Sequence, residues 1–393
     1  MAVAAGPPST LTALGAEVHE STKQAEKLRW TVGKNETDSP PLGAPGPLAK
    51  ALDMSVPSHA DVIVLNRRPG ESLSPGDLVP ERRPLRPPGP GEVVVRNIVT
   101  SVDPYQLRML RGSAEVMPAA IGEPVPANSV GVVVASQDPG VPVGTQVATY
   151  TGWQSYATTT VAPTEIADPA LGGPLEWISV LSTTGVTAYV GMHDVGNVQP
   201  GQAVLVSAAT GAVGGVAVQL AKAAGAHVVA IAGGAQRAEH ARQELGADAA
   251  VDYRDPAFPE RLKEATADGI DLFFDNVGGR QLTLALSVMK NHGNVVLCGQ
   301  VSSYARPDDP EAAVSLRDAV FKRITLRGFI VSDFYPQRLL PIRAELAALV
   351  RAQRLRVVVN EFDGLGSAPE ALASVFDRGS PRIGRRLVRI SAE

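Results

Sequence analysis

The stretch that most constrains this chain is Val204-Leu205-Val206-Ser207-Ala208-Ala209-Thr210-Gly211-Ala212-Val213-Gly214-Gly215, continuing into Val216-Ala217-Val218-Gln219-Leu220-Ala221-Lys222. It starts as a short β-branched run entered from the turn Gln199-Pro200-Gly201, which reads as a buried strand. Val213, Val216, Ala217, Leu220 and Ala221 then recur at helical spacing on one face. A second apolar run, Ala226-His227-Val228-Val229-Ala230-Ile231, follows. The three pieces make a βαβ unit of about 30 residues, the size of a right-handed crossover between parallel strands.

The turn inside that unit reads Ala209-x-Gly211-x-x-Gly214, a G-x-G-x-x-G pattern whose first glycine is alanine. Gly211 lets a backbone approach a pyrophosphate, and Gly214 lets helix and strand pack closely. Ala212, Val213 and Gly214 open a helix whose N-terminus favours phosphate. A turn that serves packing alone is the competing reading, and the flanking strands favour a nucleotide.

The end of the second strand indicates which nucleotide. Sites for the unphosphorylated dinucleotide place Asp or Glu there to meet the ribose hydroxyls. Here the chain reads Ala232-Gly233-Gly234-Ala235-Gln236-Arg237, with room, no carboxylate and a following cation. A 2′-phosphate would be held by Arg237, so NADPH is the expected cofactor. The alternative is a solvated arginine in the first turn of a helix.

The 393 residues suffice for two domains, and 44% apolar residues suffice for their cores. A net charge of −4 argues against nucleic acid as partner. No run of about 20 apolar residues is present to span a membrane. The first residues lack the basic and apolar regions of a secretory signal. The single cysteine, Cys298, excludes an internal disulfide and fits a reducing compartment, the cytoplasm. Residues 1–58 are rich in Pro, Ala, Gly and Ser and read as a flexible extension with one short helix around 16–28. Either the start lies upstream of a true start at Met54, or the segment is a tail that packs on the core or a partner.

From 59 to about 180 the pattern is short strands between Pro/Gly turns: 92–100, 130–136 and 142–150, with 153–158 as an exposed edge. That spacing suggests a partly closed β domain. From 181 to 347 helices and strands alternate: helices at 184–192, 237–245, 259–268 and 279–290, and strands at 249–253, 270–276, 293–298 and 324–332. This predicts an open parallel sheet covered on both faces. A helix over 336–353, a strand over 356–361, a helix over 368–376 and a strand over 384–390 then rejoin the β domain. The nucleotide domain, 181–347, would thus be an insertion in a domain formed by 59–180 plus 348–393.

Five stretches make the chain recognisable: Ser101-Val102-Asp103-Pro104-Tyr105, Ala208 to Gly214, Ile231-Ala232-Gly233-Gly234, Phe274-Asp275-Asn276-Val277-Gly278-Gly279, and Cys298-Gly299-Gln300-Val301-Ser302-Ser303-Tyr304. From about residue 60 to the end it resembles the medium-chain dehydrogenase/reductase superfamily. Within it, the match is to the zinc-independent leukotriene B4 dehydrogenase, prostaglandin reductase and alkenal double-bond reductase branch. The resemblance implies an α/β fold, a Rossmann-type doubly wound parallel sheet inserted in a GroES-like, partly closed β-barrel. It implies NADPH-dependent reduction of a carbon–carbon double bond conjugated to a carbonyl, in a small apolar substrate. It also implies a homodimer joined through the nucleotide domain.

Carried over by position, Gly211 to Gly214 correspond to the pyrophosphate turn, with Gly233 in the matching Ile231–Gly234 stretch. Arg237 stands where the family has lysine for the 2′-phosphate, and Tyr253 matches the tyrosine beside it, with one residue inserted between them. Asn276 corresponds to an asparagine on the adenine side. Cys298, Gly299, Ser302 and Tyr304 belong to the loop passing the nicotinamide and its ribose, and Phe329, Ile330 and Val331 to the strand lining the nicotinamide pocket. Where the family ends in Asn-Leu-Gly-Lys, this chain has Arg382-Ile383-Gly384-Arg385.

A catalytic or structural zinc site of the superfamily's kind needs several cysteines. One cysteine cannot supply them, and the place of the usual Gly-His-Glu is Ile121-Gly122-Glu123-Pro124. The six histidines, at 19, 59, 193, 227, 240 and 292, are scattered. With no metal expected, Tyr304 and the cofactor ribose hydroxyl are the candidate stabilisers of the enolate formed by hydride transfer. A phenol with pKa about 10 stays protonated at neutral pH, as a donor must. A loop-packing aromatic is the alternative for Tyr304, and a core tyrosine for Tyr105, the second candidate. Trp153 and Tyr156 read as edge packing, and Cys298 as a buried thiol. A quinone reductase, an enzyme of one natural-product pathway and a non-enzymatic NADPH-binding protein are the competing functions.

Overall fold

The computed structural model of the protein describes residues 54–70, 72–113, 117–305, 313–377 and 383–390. All of them belong to the compact unit Leu42–Glu393. The helix expected at 16–28, and Arg382, lie outside the described residues.

The first half is a β structure: β1 (His59–Leu65), β2 (Leu78–Pro84), β3 (Val93–Val102), helix α1 (Tyr105–Arg111), β4 (Ser129–Ser136), β5 (Gln146–Thr149) and β6 (Tyr156–Thr159). β3 is the spine. It pairs antiparallel with β4 and with β6, and every position but Arg96 is buried. β1 pairs with β2 and is tied to the segment after β5 by bonds such as Ile63 N–H to the Trp153 carbonyl, 2.9 Å. Trp153 itself is fully buried with its indole N–H on the Ser101 carbonyl, 3.0 Å, so 153–158 is not an exposed edge.

Helices α2 (Pro174–Ile178) and α3 (Thr183–Tyr189) lead out of this structure, α3 running on as a π-helical turn, Val190–Val195. Then come β7 (Ala203–Val206), α4 (Gly214–Ala223), β8 (His227–Ala232), α5 (Ala235–Gln243), β9 (Ala249–Asp252), α6 (Phe258–Ala265), β10 (Ile270–Asp275), α7 (Gly279–Val288) and β11 (Met289–Leu297). α8 (Val301–Ala305), α9 (Arg317–Lys322) and β12 (Thr325–Gly328) complete the alternation. The six strands form one sheet in the order β12-β11-β10-β7-β8-β9, every pair parallel. The central strands are covered on both faces, which is why β7 and β8 read as nearly unbroken apolar runs. Val204, Val206 and Phe274 pack on one face with Ala217, Leu220 and Leu346, while Leu205 and Phe273 pack on the other with Leu282 and Leu286.

The long helix α10 (Tyr335–Arg351) returns the chain to β13 (Val359–Asp363), α11 (Ala368–Phe376) and β14 (Arg385–Arg389). β14 pairs antiparallel with β3, and Val388 and Leu372 share a core with Ile63, Leu110 and Trp153. The parallel sheet is thus inserted in the β structure. Several elements differ from the sequence reading. The strand expected over 324–332 stops at Gly328, because its only neighbour among the described residues, β11, ends at Leu297, the residue that pairs with Gly328. Ile330 is extended and Val331 starts a 3-10 turn. β2, α1, α2 and α8 are additional.

Candidate active site

In an open parallel sheet a ligand crevice forms where adjacent strands send their connections to opposite faces. Here that point lies between β7 and β10, the central pair of the strand order. Their ends are stitched together. The Ser207 hydroxyl donates to Asp275 Oδ1, 2.8 Å, and accepts from Asn276 N–H, 2.8 Å, while Asn276 Nδ2 donates to the Ser207 carbonyl, 2.8 Å. Asp275 is fully buried and also accepts from the amides of Val277 and Gly278. Its pKa is raised by burial, which outweighs the lowering by these hydrogen bonds.

The glycine turn follows β7. Ala208 adopts φ +48°, a left-handed conformation that costs a non-glycine residue about 1–2 kcal/mol. A Cβ on Gly214 would stand 2.2 Å from the Ala208 carbonyl oxygen, so only glycine lets α4 start this close to β7. A Cβ on Gly211 would meet the same oxygen at 3.2 Å, tight but not excluded. The turn borders a cleft lined by Thr210, Gly211, Ala212, Gly215, Arg356 and Arg385, with Val213 just before α4. The last segment docks there through Gly384 N–H to the Thr210 carbonyl, 2.9 Å.

At the end of β8 a tight corner forms. A Cβ on Gly233 would lie 2.7 Å from the Tyr253 ring. The Arg254 guanidinium sits 5.7 Å from the centre of the same ring. Arg237, in the first turn of α5, is half-buried, and its pKa is lowered by burial and by the like charge of Arg254; Tyr253 and Asp377 partly offset this. Two cations that raise one another's energy beside a glycine and a tyrosine suit a dianionic phosphate. The corner is not free of acid, as the end of β8 alone suggested. Ala232 pairs with Asp252 of β9, whose Oδ1 accepts from Gly234 N–H, 2.7 Å, and Arg254 N–H, 2.9 Å. Those amides occupy that oxygen.

The loop after β11 folds over the switch point. Cys298 and Gly299 amides donate to the Asp275 carbonyl, and Val301 N–H donates to that of Asn276. The Ser302 hydroxyl donates to the Val277 carbonyl, 2.6 Å. Packing around the sulfur and the Asp275 charge push the Cys298 thiol up to about 12, leaving it protonated and unreactive. Tyr304 lies in the short helix α8, not in open loop. Its hydroxyl is 3.6 Å from where a Gly299 Cβ would stand, so the phenol points back at the switch-point loop. Phe329 packs against Gly191 of the π-helical turn and meets Phe334 edge-on at 6.4 Å; Ile330, beside it, is exposed.

Tyr105 stands at the start of α1, not on a loop, and is 46% exposed. Its pKa is raised, foremost by partial burial, with the Arg108 charge lowering it and Tyr304 raising it, and α1 packs directly against α8. The Arg108 guanidinium lies 5.1 Å from the centre of the Tyr304 ring. The start of α1 is set by its neighbours. Gln106 Oε1 accepts from Asp103 N–H, and its Nε2 donates to the Pro126 carbonyl, 2.9 Å each. Asp103 is gripped by Arg385 through two bonds, 2.7 and 3.1 Å.

Family comparisons agree with this layout. A model described as N-terminal domain of oxidoreductase matches residues 62–166, and one described as zinc-binding dehydrogenase matches 212–347. The NADPH-dependent curcumin reductase of Escherichia coli (strain K12) is 31% identical over 335 residues, covering 84% of this chain and 96% of that one. The NADP(+)-dependent 2-alkenal reductase of Nicotiana tabacum is 35% identical over 313 residues, 78% and 90% of the two chains. The chain belongs to the zinc-independent alkenal and quinone reductase branch of the medium-chain dehydrogenase/reductase superfamily. The crystal structure of CurA from Vibrio vulnificus in complex with NADPH superposes with a TM-score of 0.78 at 28% identity, covering 85% of this chain and all of that one. Among the described residues of this reductase, no group of three or more His, Cys, Asp or Glu side chains could hold a metal ion. No helix among them is long and apolar enough to cross a membrane.

The superfamily motifs account for the glycine turn and the tyrosines, and Asp103 and Arg385 lie in stretches compared with the family, but Arg254, Arg108 and Arg111 carry no such signal. Arg254 sits beside Tyr253 in sequence, so a second cation at the corner could have been read there. Arg108 and Arg111, and the pairing of Asp103 with Arg385, gain meaning only from contacts across the fold.

Proposed function

We propose that this protein reduces the carbon–carbon double bond of an α,β-unsaturated aldehyde or ketone with NADPH. When bound, NADPH supplies the hydride for the β-carbon of the substrate. The observation that carries this reading is the Tyr304 phenol, aimed at the Cys298–Gly299 loop over the strand switch point and close to Tyr105. A protonated phenol there donates to the carbonyl oxygen as negative charge develops on it. One such donor is worth about 2.7–4 kcal/mol, or ~10²–10³ in kcat. Tyr105, exposed and neutral, is the second polar group at the substrate.

For the cofactor, the backbone of Gly211, Ala212, Val213 and Gly214 would cradle the pyrophosphate. Gly233, Arg237 and Tyr253, joined by Arg254, would take the 2′-phosphate. Asn276, Cys298, Gly299, Ser302 and Tyr304 would border the ribose and nicotinamide, with Phe329, Ile330 and Val331 on the far wall. In this reading 181–347 is the cofactor domain, and 59–180 plus 348–393 is the substrate domain. A homodimer would form along β12, an exposed strand at the edge of the sheet beside Val320 and Phe321, the latter 68% exposed. A reducing compartment, the cytoplasm, suits its single cysteine.

The test is NADPH oxidation, followed by its absorbance, across alkenals, enones and quinones, with NADH in parallel. The expected result is turnover of enones or alkenals with NADPH at least about tenfold above NADH. Turnover of quinones alone, or of nothing offered, would contradict it.

A further inference from the structure

Helix α1 carries Arg108 and Arg111 three residues apart, hence on one face, while Leu107 and Leu110 are buried in the barrel. Both arginines reach Tyr304, a residue of the other lobe. Arg108 lies 5.1 Å from the centre of its ring. Arg111 Nη1 donates to the Tyr304 carbonyl at 2.6 Å, and its Nε donates to the Gly70 carbonyl at 2.7 Å, in the segment between β1 and β2. One planar guanidinium therefore bridges the barrel and the backbone of the residue proposed as hydrogen-bond donor. A lysine, with a single nitrogen on a flexible stem, cannot make both bonds in the same fixed geometry.

We propose that Arg111 is a positioning residue for Tyr304. It fixes the helix Val301–Ala305 against the substrate lobe so that the phenol is set where charge develops. Displacing a catalytic group by about 1 Å can cost ~10²-fold in rate, so loosening this bond has consequences well beyond its own strength. The inference rests on Tyr304 acting as donor.

The experiment is a double-mutant cycle on the full chain with Arg111→Met, Tyr304→Phe and both together, alongside Arg111→Lys. kcat, KM for NADPH and melting temperature are measured for each. Arg111→Met is expected to lower kcat by about tenfold or more, with KM for NADPH within about twofold, and Arg111→Lys to fall between it and wild type. In the Tyr304→Phe background Arg111→Met is expected to cost nothing further, because the group it positions is gone. If Arg111→Met does not fold, Arg111→Lys in the same cycle gives the same reading. Multiplicative losses, or a wild-type kcat for the Arg111 variants while Tyr304→Phe is slow, would overturn the inference alone. A wild-type rate for Tyr304→Phe would defeat the donor role itself, and the inference with it.

Discussion

Arg385 of the last strand and Asp103 at the end of β3 are joined by a 2.7 Å ion pair whose arginine side chain is 2% exposed. Arg385 also donates to the Ile178 carbonyl, the Ser182 hydroxyl and, at 3.2 Å, the Thr184 hydroxyl. It thus connects the C-terminal strand, the loop leading into Tyr105 and the entry to the parallel sheet. Removing one partner of a buried pair leaves the other uncompensated, at a cost of about 3–5 kcal/mol. Arg385→Met is therefore expected to lower the melting temperature by several degrees and to slow turnover by loosening α1. An unchanged melting curve would show that the pair contributes nothing net.

The two glycines of the turn after β7, Gly211 and Gly214, should not be equivalent. Gly214→Ala places a methyl 2.2 Å from a backbone oxygen, which only a backbone shift relieves. Overpacking of that kind costs about 1–3 kcal/mol, and the shift would deform the turn. NADPH titration by fluorescence should show at least about tenfold weaker binding for Gly214→Ala. Gly211→Ala, at 3.2 Å, should retain its fold with a smaller loss. Equal effects would contradict the packing account of Gly214.

In the proposed reading Arg237 carries the cofactor preference. A hydrogen bond to a charged group is worth about 1.5–3 kcal/mol, so Arg237→Ala should raise KM for NADPH by ~10- to 150-fold and leave that for NADH nearly unchanged. Because Arg254 adds charge to the same corner, Arg237→Ala with Arg254→Ala should bring the two cofactors close to parity. Loss of both cofactors together would point to a folding defect instead.

His193 gives the fold a defined acid response. Burial, and then the Arg338 charge, lower its pKa from 6.5 to about 4. The unfolded chain therefore binds a proton that the folded one refuses between those values. The contribution is fully present above about pH 6.5 and is lost as pH falls toward 4. His193→Gln should flatten the decline in melting temperature over that window. An identical decline in the variant would place its cause in other groups.

What could be read without coordinates follows from where the information lies. Val228-Val229-Ala230-Ile231 announces a strand covered on both faces, and Gly211 to Gly214 announce the turn, because each signal is local. β2, with Pro80, Glu81, Arg82 and Arg83 in its span, reads as loop and becomes a strand only through its pairing with β1. α1 is seven residues long, too short to hold on propensity, and depends on Gln106 and the packing of Leu107 and Leu110. Trp153 looks like an edge aromatic until the Ser101 carbonyl meets its indole. The arginines were hidden most deeply: 282 positions separate Asp103 from Arg385, and 193 separate Arg111 from Tyr304. No spacing rule spans such distances.

The most direct measurement is the destination of the hydride. NADPH deuterated at C4 would be turned over with an accepted enone, and the product examined by NMR and mass spectrometry. The account predicts a saturated ketone carrying deuterium on the former β-carbon, formed far more slowly by Tyr304→Phe. Deuterium on the carbonyl carbon of an allylic alcohol would contradict it.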